Sequence, residues 1–106
     1  MLQIPLSAIP KQKLSVVLDG QNCVLRIYQL DDNLFMDLIV NEAPVLLGAI
    51  CKNLVNIIPY GYLPFKGGLY FVDSQGHSHP HYTGFGTRYR LLFAAGDENL
   101  PVSLRS

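Results

Sequence analysis

Apolar and polar residues alternate with a period of two through most of the first half of the chain, which predicts strands and not helices. Lys13 to Leu18 is rich in β-forming residues and runs into Asp19-Gly20, a strong hairpin signal. In the next run, Cys23 to Gln29, the residues Cys23, Leu25 and Ile27 share one face and Arg26 takes the other. Asp31-Asp32-Asn33 turns the chain. Leu34 to Val40 then places Leu34, Met36, Leu38 and Val40 inward and Asp37 outward, and Asn41-Glu42 turns it again. Val45 to Cys51 is a more continuous apolar run, the pattern of a strand buried on both sides. These segments predict a meander of at least three strands. The window Cys51 to Ile58 has a helical look but is short, β-branched and closed by Pro59, so it admits a single helical turn at most.

The second half has a different texture. Nine of the eleven aromatic residues lie between Tyr60 and Phe93, separated by glycines and prolines. Leu69 to Asp73 and Tyr89 to Ala94 read as strands, with Phe71 and Phe93 facing inward. Ser74 to Thr87 between them is a long aromatic and glycine-containing loop. A loop of that length in a compact domain points to a functional role. The expectation is an all-β fold: a small antiparallel barrel or sandwich of about six to seven short strands, with both architectures open. Residues 1–106 form a single β domain, with a β-meander scaffold over 1–58, an aromatic, loop-rich half over 59–94 and a C-terminal tail over 95–106.

Composition turns attention to the surface. Charged residues make up 15% of the 106 residues and hydrophobic ones 49%, against about 25% charged in an average chain. A small domain has much surface to cover, so a deficit of charge implies that other protein covers part of it. The formal net charge is zero, which favours self-association and supplies no basic excess for sequence-specific nucleic-acid binding. The start, Met1-Leu2-Gln3-Ile4-Pro5, lacks a basic segment followed by an apolar stretch, so no secretory signal is expected. Ala43 to Cys51 is too short for a membrane segment. Cys23 and Cys51 have no CxxC context and read as buried free thiols.

Candidate chemistry is sparse. His77, His79 and His81 alternate, so an extended backbone would turn three imidazoles to one side as metal ligands. Their loop context and the lack of a nearby cysteine favour solvated polar residues instead. No G-x-S-x-G elbow is present. Asp31-Asp32 and Asp97-Glu98 are turn and tail carboxylates, and neither glycine pair opens a helix as a phosphate loop would. No cofactor is implied, and the chain reads as a non-enzyme. Aromatic side chains are enriched at interface centres, so Tyr60, Tyr62, Phe65, Tyr82 and Phe85 are the protein-contact candidates, shared between core and surface. The alternative is a small metal-binding or carbohydrate-binding β module, although the chain has no tryptophan.

The running text also carries a resemblance. Leu2 to Pro10, Leu14 to Cys23, Gly48-Ala49-Ile50-Cys51, Leu69 to Gly76 and Tyr89-Arg90-Leu91-Leu92 are similar to the small baseplate plug proteins of contractile-tailed bacteriophages, of the kind described for a cyanophage. The resemblance implies a structural virion protein of the tail baseplate, made in the host cytoplasm. It would sit around the central tube and hub and help to join or plug the channel before DNA ejection. Its implied partners are tail tube, hub and other baseplate proteins, and other copies of itself.

Overall fold

The structure, a computed structural model, describes residues 2–58 and 65–95. Seven strands run in the order β1 (Leu2–Ile4), β2 (Lys11–Leu18), β3 (Gln21–Leu30), β4 (Asn33–Val40), β5 (Ala43–Cys51), β6 (Gly68–Asp73) and β7 (Tyr89–Ala94), with one 3-10 turn at Tyr82–Gly84. They form two antiparallel sheets, one of four strands ordered β2-β3-β4-β5 and one of three ordered β1-β7-β6. The sheets do not close into a barrel, so of the two expected architectures the open two-sheet one is found. No helix forms over residues 51–58.

The four-stranded meander follows from tight turns. Asp19-Gly20 and Asn41-Glu42 hold positive φ at both central residues, and Asp31 does so in the β3–β4 turn. Such turns match the right-handed twist of the strands they join. Strand register then stacks the apolar positions into rows: Leu14, Leu25, Leu38 and Leu46 form one row across all four strands, and Val16, Cys23 and Val40 another across three, ending at the exposed Ala43. These rows face Leu69, Phe71, Leu91 and Phe93 of the smaller sheet within one buried cluster, joined by Ile4, Ile57 and Ile58. Phe71 and Phe93 thus point inward as their strand pattern predicts.

Three features lie beyond what alternation predicts. Leu2–Ile4 adds to β7 as an edge strand, register Ile4 to Leu91; three residues are too few for a periodic signal. The second is the segment after β5, which runs along the outer edge of β6. Leu54 and Ile57 donate backbone N–H to the carbonyls of Phe71 and Leu69, and the side-chain oxygens of Asn53 and Asn56 accept from Asp73 N and Leu69 N. The third is Gln21, whose amide donates to the Leu18 and Lys66 carbonyls and accepts from Lys66 N at 2.9 Å. It ties the first hairpin to the entry of β6. At that entry Gly67 holds φ +105, and a side chain there would collide with the Ala94 carbonyl and meet the Phe93 ring at 2.7 Å.

One expectation is corrected. β5 is not buried on both sides: it is an edge strand, with Leu47 68% and Ile50 44% exposed. Its continuous apolar run reflects two irregularities in the pairing with β4, between Met36 and Leu38 and between Leu38 and Ile39. Extra residues there break the period of two, and a broken period imitates double burial.

Leu25 is fully buried at the centre of the larger sheet. Leu25→Ala should therefore cost about 3 kcal/mol, lowering the melting temperature by roughly 15 °C in a thermal denaturation followed by circular dichroism.

Candidate interaction surface

The loop between β6 and β7 is built on one carboxylate. Asp73, at the end of β6, has a fully buried side chain. Its Oδ1 accepts from Gln75 N and Arg88 Nε, and its Oδ2 accepts from Ser78 N and Arg88 Nη2, each at 2.8–2.9 Å. Arg88 Nη2 also reaches Ser78 Oγ, and Ser74 donates through both N and Oγ to the Arg88 carbonyl. The loop is therefore clasped at its base by a two-pronged ion pair with the Arg88 guanidinium 5.2 Å from the centre of the Tyr89 ring. Hydrogen bonds from Arg88, reinforced by the backbone N–H of Gln75 and Ser78, hold the Asp73 carboxyl well below the usual carboxylate range even though burial opposes this. An Asp at a strand end followed by Ser-Gln-Gly signals an Asx-type turn; its partner fifteen residues later carries no local sequence signal.

The three histidines do not converge. His77 is exposed. His79 Nδ1 accepts from Asn53 N at 3.2 Å, fastening the loop to the segment that covers β6. His81 precedes the 3-10 turn, where its Nδ1 meets Thr83 Oγ1 at 2.9 Å and accepts from Thr83 N, and its ring stacks on Tyr82. Residue 77 lies in a bend and no strand forms over 77–81, so the strict alternation that would align the three side chains is missing. Among the described residues no group of three histidine, cysteine or acidic side chains is placed to hold a metal ion.

The aromatic candidates divide. Tyr60 and Tyr62 lie outside the described residues. Phe65 and Phe85 are buried: Phe65 packs edge-on against Phe93, and Phe85 stacks on Phe71. Tyr82 is half-buried, packed against the core on one side, with its N–H directed to Gln29 Oε1. The cysteines are free and buried, and burial pushes the Cys51 thiol up to about 12 and raises Cys23 as well.

Among the described residues, nothing covers the outer face of the four-stranded sheet or its β5 edge. Register aligns Lys11, Tyr28, Phe35 and Ile50 in one row and Ser15, Val24, Ile39 and Pro44 in another. Tyr28 and Phe35 stack at 5.9 Å. Val17, Leu30 and Leu47 are exposed on or beside this face by 61%, 51% and 68%. β5 contains no charged residue in nine, whereas β2, the opposite edge, carries Lys11 and Lys13. Lysines protect an edge from unwanted pairing, and an uncharged apolar edge invites it. Sequence reasoning missed this surface because an uncharged run reads the same at an edge as in a core.

Comparison with known proteins agrees with this picture of a structural subunit. A family model described as the cyanophage baseplate Pam3 plug gp18 matches residues 1–96. No curated protein matches the chain.

Two outcomes follow from the geometry. Asp73 ionises at lower pH when folded than when unfolded, so its contribution to stability is complete above the unfolded carboxylate value of about 4 and fades as pH falls from there toward the depressed folded value. The difference in melting temperature between the wild type and Asp73→Asn should thus be widest at neutral pH and shrink below about pH 4. Both thiols should resist a disulfide reagent at pH 8 in the folded protein and react at once in denaturant.

Proposed function

The chain belongs to the cyanophage baseplate plug family, and on that footing we propose that it docks around the central tail tube and hub and helps to join or plug the channel before DNA ejection. Family membership carries a structural role in the baseplate of a phage tail. The observation that supports docking is the uncharged, exposed β5 edge with Leu47 and Ile50 at its surface. Such an edge is a liability for a free protein and an asset for one held in an assembly, where another surface covers it.

The clasped loop fits the same role. A loop that is to contact a neighbour repeatedly at one geometry gains from being ordered beforehand, because the entropy cost of fixing it is not charged to the contact. The Asp73–Arg88 clasp and the His79–Asn53 bond supply that order. Of the aromatic candidates among the described residues, Tyr82, half-buried at the loop's 3-10 turn, is the one with a surface to share. Its partners would be tube, hub and other baseplate proteins, or further copies of this chain around the tail axis.

Disrupting the gene in the phage tests this. The expected result is that purified wild-type baseplates contain the chain in fixed proportion to the hub, and that particles lacking it leak DNA or fail to infect. Wild-type virions free of the chain, or deletion particles of normal titre, would refute the proposal.

A further inference from the structure

Net charge zero conceals a segregation of charge. In the four-stranded sheet the acids Asp19, Asp31, Asp32 and Glu42 all lie in the hairpin turns at the two ends. The cations Lys11, Lys13 and Arg26 lie together on the outer face of β2 and β3. Register sets Lys13 directly opposite Arg26, an arrangement of like charges that disfavours the pair. Arg26 is in turn opposite Asp37, but the Asp37 carboxylate is otherwise engaged: its Oδ1 accepts from Gly48 N at 2.7 Å and from the Tyr28 hydroxyl at 3.1 Å. None of the three cations has an ion-pair partner among the described residues.

The same face is not flat. A groove of 520 Å³ is lined by Lys11, Lys13, Arg26, Tyr28 and Leu30 among others, and a second of 710 Å³ runs beside Ser15, Val17, Val24 and Asn41. Beyond them, on β4 and β5, lie Phe35, Ile39, Ile50 and Leu47 with no free charge. The face is therefore half basic and grooved, half apolar.

We propose that this face is the docking site for a protein partner that sets apolar side chains against Leu47 and Ile50 and carboxylates against Lys13 and Arg26. Strand spacing and rise give a sheet of four strands and about eight residues an area of roughly 500 Å². One side of a standard interface covers about 800 Å², so the partner extends past the face onto the β5 edge. The face cannot pair with its own copy on these terms. Its only unpaired carboxylate among the described residues is Glu42 at the far rim of the second groove, so a twofold contact would bury three cations with too few counter-charges, which is costly. The partner is thus a different protein, and the closest candidates, on the baseplate reading, are the tube, hub and other baseplate proteins of the same phage.

The test measures binding of the purified chain to each of those proteins at 50 and 300 mM salt by biolayer interferometry. The expected result is one or more binders, weakened at least tenfold by Lys13→Glu with Arg26→Glu, which also flattens the salt dependence. Leu47→Asp should weaken binding at least tenfold as well and keep the salt dependence. Arg90→Glu, on the smaller sheet, should bind as the wild type does, and circular dichroism should show all variants folded. Binding unchanged by both face variants, or no binding by a chain that is nonetheless present in virions, overturns the inference and leaves the baseplate reading intact. Absence from virions together with no binding overturns both. Self-association abolished by Leu47→Asp, or equal affinity for a mixed-sequence DNA 20-mer that the charge reversal abolishes, would also overturn it in favour of a second copy or nucleic acid.

Discussion

Every strand edge presents backbone donors and acceptors that must be satisfied, and the way this chain treats its edges governs the rest of its structure. One edge, β6, is closed by the chain itself: residues 53–57 run along it and supply both backbone and asparagine side-chain bonds. That closure buries Ile57 and Ile58 and completes the core over Leu69 and Phe71. A second edge, β2, is protected by lysines. Another, β5, carries no charge and, among the described residues, no cover. The contrast within one sheet is what makes β5 informative, because the same chain protects comparable backbone elsewhere.

The scaffold was legible because it obeys a local rule. From Lys13 to Val40, alternation and two-residue turns specify both the strands and the face each side chain takes, and Cys23, Leu25, Ile27, Leu34, Met36 and Leu38 are all buried as alternation requires. β5 was misread because irregular pairing shifts its phase, and because whether a strand is central or marginal depends on what lies beside it and not on its own residues. β1 was invisible for a related reason: three residues become a strand only because β7 is there to receive them. The same holds for Gln21 and Asp73. Their roles rest on Lys66 and Arg88, which pattern cannot connect to them.

In the aromatic half, composition does not by itself fix where a ring lies. A cluster of aromatic residues among glycines resembles a contact surface, yet Phe65, Phe71, Phe85 and Phe93 pair with one another inside the molecule. The physical reason is the small sheet. Three short strands offer little aliphatic area, so large rings fill the space between the sheets, and glycines such as Gly67 let backbone approach those rings. Among the described residues, Val17, Leu30, Leu47 and Ile50 are exposed on the meander that alternation describes best.

The deficit of charged residues can now be placed. It is not spread evenly over the molecule: β5 holds none of the charge, the turns at the sheet ends hold acids, and the outer face of β2 and β3 holds bases. An evenly neutral surface would bind weakly to many things, since nothing on it would penalise a wrong orientation. A basic groove next to an apolar edge admits a partner in one orientation, because reversing it would set cations against apolar side chains and leave carboxylates unpaired. For a subunit that must occupy a defined place in a particle, the arrangement of so few charges matters more than their number.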